Sequence, residues 1–191
     1  MAIIKSDQAE KAAIDSVAQR IMVSLRTSPK TRGVDDIVAL IIDGPELERL
    51  ADLMEKKSAV KGPGIAPAFK RDAGCVRRAQ AVVLVGTGTL APKKPGNPID
   101  CGACGYESCA EFMGVEETDG EDYPGPSCIW QLVDLGIALG SAVKTAADAD
   151  VDNRLMYTVG AAAREMGVLD CQVAVGIPLS VSGKNIFFDR G

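Results

Sequence analysis

The spacing of hydrophobic and polar residues along the chain predicts helices that alternate with short strands. Apolar side chains recur every three or four positions over residues 14–25, which predicts an amphipathic first helix with Ser6 or Asp7 as its N-cap. Residues 37–42 form a short, branched, apolar run between acidic residues, which is typical of a buried strand. Pro45 then begins a second helix, because proline is tolerated in the first helical turn.

The same patterns continue to the end of the chain. They predict helices over residues 67–79, 127–147 and 153–166, and strands over residues 81–85, 173–177 and 185–188. Gly167 follows the last helix, where glycine commonly caps a C-terminus. One apolar face of the long helix is expected to contain Ile129, Leu132, Val133, Ile137 and Ala138. This order predicts an α+β fold, in which helices pack on a small mixed sheet and residues 1–191 form a single domain.

Composition supports a folded domain and argues against several classes of partner. Hydrophobic residues make up 47% of the chain, so a sizeable core is expected, and the aromatic share of 4% favours helices on a small sheet over an all-β sandwich. The net charge of −5 argues against nucleic acid as the principal partner, since phosphate binding needs a basic excess. Neither a secretory signal nor a membrane span is apparent, so we expect a cytoplasmic protein.

The absence of histidine narrows the chemistry further. Without this residue, Ser-His-Asp and Cys-His catalysis, His-ligated haem, Rieske centres and Cys₂His₂ zinc sites are excluded. The six cysteines are not expected to form disulfides in a reducing cytoplasm. Four of them lie between positions 101 and 128, and this concentration indicates a metal centre.

The clustered cysteines follow a Cx₂Cx₄Cx₁₈C pattern, formed by Cys101, Cys104, Cys109 and Cys128. Four thiolates complete the ligand set of a [4Fe–4S] cubane, and the Cx₂C pair lets two of them reach neighbouring corners from one turn. Gly102 and Gly105 permit positive φ and a close approach of backbone N–H groups to the cluster sulfurs. We therefore expect residues 99–128 to form an iron–sulfur cluster-binding segment within the single domain.

Structural zinc on the same four cysteines is the main alternative, in which the Cys₄ site would order a partner-binding loop. Zinc ribbons usually present two Cx₂C pairs, whereas here a Cx₄C spacing and a long gap follow the first pair. Tyr106, Phe112 and Trp130 are candidates to exclude water from the centre. Cys75 falls in a predicted helix and Cys171 near a predicted strand, so both are expected to be buried thiols rather than ligands.

Residues 99–109, together with Cys128, resemble the cluster motif of electron-transport-complex B subunits and of the corrinoid iron–sulfur protein. In those families a fourth cysteine follows the Cx₂Cx₄C run after a comparable gap. A broader resemblance, carried by residues 138–145, 155–167 and 183–190, is to an uncharacterised prokaryotic family of ferredoxin-domain-containing proteins. Both resemblances imply a [4Fe–4S] cluster, and neither implies a defined reaction.

The chain also resembles flavin-dependent nitroreductases, through the first helix with the turn at residues 26–33, the helices of residues 137–166 and the stretch 176–178. This resemblance implies a homodimer with FMN held between its two subunits. The basic residues that it implies for the FMN phosphate are Arg26, Lys30, Arg32 and Arg190. A solvated loop is the alternative for the basic turn, and a monomer is the alternative for the assembly.

These features together predict an iron–sulfur electron carrier or a subunit of a larger oxidoreductase. Its redox partner is not identified by the sequence, and FMN is a candidate second cofactor. The acidic residues between positions 116 and 122 are expected to form a solvated loop. Their charge would disfavour reduction of a nearby cluster, while Lys93 and Lys94 oppose that effect. The expected couple is therefore of low potential.

Overall fold

The computed structural model describes residues 3–188 of the chain. The helices are α1 (Ser6–Thr27), α2 (Pro45–Val60), α3 (Ala66–Arg78), α4 (Cys109–Met113), α5 (Ile129–Asp148) and α6 (Tyr157–Met166). The strands are β1 (Ile37–Asp43), β2 (Ala81–Thr87), β3 (Thr118–Asp119), β4 (Pro124–Gly125), β5 (Asp152–Asn153) and β6 (Val173–Ser180). Across the described range, no helix is long and apolar enough to cross a membrane.

Strands β1, β2, β6 and β5 form one sheet in that order. Leu84 in the middle of β2 lies opposite Leu40 of β1 on one side and Gly176 of β6 on the other. All three pairings are antiparallel, so the α+β fold class is confirmed but the sheet is not mixed. Two helices rather than one separate β1 from β2, and the chain therefore re-enters the sheet in the opposite direction.

Helices cover both faces of the sheet, which gives three layers. Alternating side chains of β2 account for this arrangement, because successive residues of a strand point to opposite faces. Val82 and Leu84 pack in the core formed with α2, α3 and α6, whereas Val83 and Val85 pack in the core formed with α1 and α5. All four side chains are fully buried. A strand that is apolar on both faces is stable only when both are covered.

Helix α6 lies very close to β6 because two glycines meet at the contact. A Cβ atom on Gly160 would stand 2.0 Å from the Ala174 carbonyl oxygen, and one on Gly176 would stand 2.0 Å from Val159 Cγ1. Neither position has room for a side chain, so glycine is required by packing rather than by backbone conformation. The contact fixes β6 beside β2. The end of β2 leads into residues 88–128, which are called the cysteine segment below.

The ends of α1 and α6 test the predicted helix signals. Helix α1 is capped by Lys5, whose backbone N–H donates to Gln8 Oε1 at 3.5 Å, so the predicted Ser6 or Asp7 cap is wrong. A side chain at the third helical position, rather than the cap residue itself, satisfies the free N–H group. The predicted stop of α6 is confirmed, since Gly167 has a left-handed φ of 65°.

Two predicted elements near the C-terminus are corrected by the sheet. Helix α6 begins at Tyr157 rather than at position 153, because β5 pairs with the end of β6 and holds that stretch extended. Residues 186–188 form a turn, so the strand predicted over residues 185–188 is wrong. There the Asn185 side chain accepts the Phe187 N–H at 3.0 Å, which closes a local turn in place of a ladder.

Candidate metal centre

The cysteine segment leaves the sheet at the end of β2 and returns to the three-layer core at the start of α5. These two ends are joined directly, since the Cys128 N–H donates to the Leu90 carbonyl at 2.9 Å. Between them the chain forms the short helix α4 and the small hairpin β3–β4. The segment is therefore a loop with both of its ends fixed on the core.

The four clustered cysteines line one cavity. Cys101 and Cys104 lie in irregular turns, Cys109 is the first residue of α4, and Cys128 is the N-cap of α5. Exposure falls along this series, from the exposed Cys101 to the buried Cys128. The cavity is also lined by Pro92, Lys93, Ile99, Tyr106, Ile129 and Trp130.

Backbone conformation around the Cx₂Cx₄C run follows from two glycines and one aspartate. Gly102 and Gly105 have φ of 69° and 90°, values that side chains rarely adopt, so the turn around Cys104 depends on them. Asp100 is also left-handed, and its carboxylate accepts the Cys109 N–H at 2.7 Å. This bond closes the loop across the first two cysteines and brings the third against them.

The thiols of the first and last cysteines differ in their electrostatics. The Ala103 backbone and the indole N–H of Trp130, which lies 3.3 Å from Cys101 Sγ, donate to Cys101 and lower the pKa of its thiol. Burial raises the pKa of Cys128 despite the backbone N–H groups at the start of α5. Both sets of N–H groups point at sulfur, and such donors stabilise a thiolate or a negatively charged cluster.

The sulfurs share a cavity without being gathered around one point. Within residues 3–188, no three Cys, Asp or Glu side chains lie close enough together to hold one metal ion. A single zinc ion would draw four sulfurs to about 2.3 Å from one centre. A cubane, in contrast, uses each thiolate at a different corner. The all-sulfur donor set of this cavity fits the chemistry of iron–sulfur ligation.

Of the three aromatic residues considered as shields for the centre, Tyr106 and Trp130 line the cavity, and Phe112 packs on Tyr106. Tyr106 and Phe112 pack edge to face, with centroids 5.6 Å apart and planes at 82°. Phe112 is buried, and the half-buried Trp130 covers Cys101 from the first turn of α5. These rings reduce the access of water to one side of the cavity.

The remaining cysteines lie elsewhere in the core. Cys75 on α3 is buried, with its Sγ 3.6 Å from the Ile186 carbonyl oxygen. Cys171 is also buried and lies against Gly86, and burial raises the pKa of its thiol. Both match the prediction of buried thiols that are not part of the cysteine cavity.

A buried polar network lies behind the cavity, and the sequence patterns did not reveal it. Lys93, whose side chain has no exposed area, places its ammonium 2.8 Å from Asp36 and 3.1 Å from Asp134. Asp134 also accepts the backbone N–H and the hydroxyl of Thr31. Gln131 donates to Asp36 at 2.8 Å. The only signal in the sequence was that Gln131 and Asp134 stand in the otherwise apolar start of α5.

A second ionic cluster ties the cysteine segment to the helices on the other side of the sheet. Asp122 lies 3.0 Å from Lys57 and 2.6 Å from Lys61, and it accepts a hydrogen bond from Tyr157. The neighbouring Tyr123 hydroxyl donates to the Ala174 carbonyl at 2.5 Å. The acidic stretch was expected to form a solvated loop. For Asp122 that prediction is wrong, because its side chain is buried and paired with two lysines.

The basic residues considered for the FMN phosphate lie in different surroundings. Arg26 pairs with Asp35 at 2.5 Å, and the Lys30 ammonium donates to the carbonyls of Leu25 and Arg26 at 2.6 Å. Arg32 is exposed and has a left-handed φ of 57°. Arg190 lies outside the described residues. Two of the four side chains are therefore already engaged at the end of α1.

Sequence comparison places the chain among proteins without a described reaction. Residues 124–190 match a family described as an uncharacterized protein containing a ferredoxin domain. Over 175 residues, 91% of this chain and 90% of the relative, it is 43% identical to an uncharacterized protein from Archaeoglobus fulgidus. The family match contains Cys128 and begins after the other three clustered cysteines.

Comparison with solved structures identifies the fold as that of the nitroreductases. An FMN-dependent nitroreductase from Mycobacterium smegmatis, in complex with NADPH, matches with a TM-score of 0.54 at 11% identity, covering 88% of this chain and 78% of the other. A BluB-like flavoprotein from Clostridium difficile 630 matches with a TM-score of 0.54 at 14% identity, covering 90% and 82%. At these identities the likeness shows the fold alone.

Proposed function

We propose that this chain, which belongs to the same family as the Archaeoglobus fulgidus protein, is an iron–sulfur redox protein that carries one [4Fe–4S] cluster. Its work would be electron transfer, either as a carrier or as a subunit of a larger oxidoreductase in a reducing cytoplasm. The observation that carries the proposal is the convergence of four thiols, from a turn, α4 and the N-cap of α5, on one cavity. The family's ferredoxin description supports the same role.

The proposed ligands are Cys101, Cys104, Cys109 and Cys128. The cluster, when bound, would supply a one-electron couple. The chain's own residues supply the thiolates and the N–H donors. Trp130 and the backbone around Ala103 stabilise negative charge on Cys101, and the N-terminus of α5 does the same at Cys128. Tyr106 and Phe112 limit the access of water.

A flavin is the proposed second centre, and its support is the nitroreductase fold. Arg26 and Arg32 both have exposed side chains near the turn after α1, but Arg26 is already paired with Asp35. We propose that Arg32, together with Arg190, contributes to phosphate binding, while Arg26 and Lys30 hold the turn in shape. Micromolar protein is expected to quench the fluorescence of added FMN, and absence of quenching would leave the cluster as the only cofactor.

A homodimer is the proposed assembly, and helix α5 carries the argument. Ile129, Leu132, Val133 and Ile137 are all about two-fifths exposed and follow one another along one side of this helix. Gly136 and Gly140 lie on the same side with open space around them. A second copy of the same face could approach closely there and bury these apolar side chains.

Anaerobic purification with metal and sulfide analysis tests the cluster. We expect iron and acid-labile sulfide in equal amounts and a broad absorption band near about 400 nm. A colourless protein with one zinc per chain would contradict the proposal and would favour a structural Cys₄ module. The matched control is a variant in which all four proposed ligands are replaced by serine, which should show neither the band nor the sulfide.

A further inference from the structure

Lys93 is the one basic residue that lines the cysteine cavity in the part of the chain that the structure describes. Its side chain is completely buried. Residues 99–128 contain no lysine or arginine but eight acidic positions, namely Asp100, Glu107, Glu111, Glu116, Glu117, Asp119, Glu121 and Asp122. Lys93 thus brings one positive charge to a site that the surrounding sequence makes negative, with its ammonium in the polar network behind the cavity.

We propose that Lys93 and Asp36 set the reduction potential of the cluster, with Lys93 raising it and Asp36 lowering it. This inference rests on the proposed function. Reduction adds one negative charge to a cluster that four thiolates already make anionic. A positive charge near the cluster favours the reduced form, and a negative charge near it disfavours that form.

Burial gives the charge of Lys93 its influence. An ammonium held away from water acts through protein rather than through solvent, so its field is screened far less than that of a surface lysine. The Lys93 ammonium lies 2.8 Å from Asp36 and 3.1 Å from Asp134, and it donates to the Val34 carbonyl at 3.1 Å. The contacts with Asp36 and the Val34 carbonyl are hydrogen bonds, and the contact with Asp134 is an ion pair.

The same contacts hold Lys93 at a fixed position relative to the four thiols. Asp134 lies on α5, the helix that Cys128 caps, and Asp36 immediately precedes β1. Gln131 donates from α5 to both Asp36 and the Ala91 carbonyl, at 2.8 and 2.9 Å. The connection that carries Lys93 is therefore clamped to the helix that carries the fourth ligand. Lys93 acts on the cluster through charge and position and is not itself a ligand.

Opposite substitutions separate an electrostatic role from a structural one. Lys93→Gln is expected to lower the midpoint potential, and Asp36→Asn to raise it, each shifting the reduction equilibrium about tenfold, which is about 59 mV for a one-electron couple. The double variant Lys93→Gln/Asp36→Asn should return close to the wild-type potential, since its two charge changes cancel. Lys93→Arg should retain most of the effect.

The adjacent lysine provides a matched control. Lys94 is exposed and does not line the cavity, so Lys94→Gln makes the same charge change one residue away and should leave the potential unchanged. EPR-monitored titration of each full-length, cluster-loaded variant gives the potentials, after iron and sulfide analysis. If Lys93→Gln does not fold, the direction of the potential shift in Asp36→Asn decides. A higher midpoint potential supports the inference, and a lower or unchanged one contradicts it.

The outcomes separate this inference from the proposed function. A wild-type protein without iron and sulfide would overturn both. A loaded wild type whose variants all keep its potential, or whose two single variants shift it in the same direction, would overturn the role of Lys93 and Asp36 and leave the cluster assignment intact.

Discussion

The cysteine side chains of this protein lie in two kinds of surroundings. Four thiols face a shared cavity at the edge of the core, where backbone and indole N–H groups point at sulfur. Cys75 and Cys171 are instead buried away from this cavity, Cys75 beside the Ile186 carbonyl and Cys171 against Gly86. Thiolates are the ligands of iron–sulfur clusters, so the difference in surroundings predicts which cysteines bind.

Alanine substitutions test this division. Replacing Cys101, Cys104, Cys109 or Cys128 should remove most of the bound iron, because a cubane that loses one thiolate ligand is left with an open corner. Cys75→Ala and Cys171→Ala are the controls and should retain wild-type iron content, measured by metal analysis after anaerobic reconstitution. Equal iron loss from the Cys75 variant would contradict the assignment.

At the level of elements, the cysteine segment is tied to the core on both sides of the sheet. Lys93 and Gln131 fix its ends to β1 and α5, and Asp122 fixes its middle to α2 and α6. Burial alone would raise the pKa of Asp122, but hydrogen bonds from Lys61, Tyr157 and Lys57 outweigh it and lower the pKa to about 2. The ionised carboxylate is therefore the form that anchors the loop.

The lowered pKa of Asp122 predicts the direction of its pH dependence. A carboxyl group whose folded pKa lies below its unfolded value of 3.8 stabilises the fold above that value, and the contribution disappears as pH falls from about 4 to about 2. Asp122→Asn should lower the free energy of unfolding on the order of 2 kcal/mol at neutral pH. Chemical denaturation at pH 7 and pH 3 measures this. A deficit of the same size at both pH values would contradict the linkage.

The sequence predicted the elements of the three-layer core well, because their hydrophobic periods are local. Strand β2 and helix α3 fall within two residues of the expected bounds, and helix α2 begins at Pro45 as expected. The buried side of helix α5 was harder to predict. Its periodicity indicated one apolar face, yet the face with Leu132 and Ile137 is partly exposed, while Gln131 and Asp134 are buried. A helix that is apolar on nearly all sides does not identify its buried side by pattern alone.

Ligand spacing is local, so the sequence could propose the four cysteines as one set, and the structure places them around one cavity. The polar contacts behind the cavity could not be predicted from the sequence. Asp36 and Gln131 are 95 positions apart in sequence, and only the fold brings them within 2.8 Å. Long-range contacts of this kind depend on how the layers pack, which hydrophobic periods do not specify.

For the whole molecule, the exposed side of α5 predicts assembly. Ile137→Glu places a charge on that side and should convert a dimer into a monomer, because a buried unpaired carboxylate is costly at an interface. Val60→Glu, at an exposed position at the end of α2, is the control and should leave the mass unchanged. Light scattering distinguishes the states, since one chain has a mass of 20.0 kDa. A wild-type mass near this value would contradict the dimer.

The distribution of charge over the molecule predicts a low reduction potential. Residues 99–128 contain eight acidic residues and no lysine or arginine, and Lys93 offsets only part of that charge. We expect a midpoint in the negative half of the range of about −700 to +450 mV that iron–sulfur clusters span. An EPR-monitored redox titration measures it, and a positive midpoint would show that the acidic segment does not govern the cluster.

Native mass spectrometry of the anaerobically prepared protein tests the central claim most directly. It weighs the bound centre on the intact chain and needs neither a redox partner nor a substrate. We predict a mass increment of four irons and four sulfides per chain, which is lost in the Cys128→Ser variant and kept in the Cys171→Ser variant. An increment of a single zinc ion per chain, or of no metal at all, would contradict the iron–sulfur function.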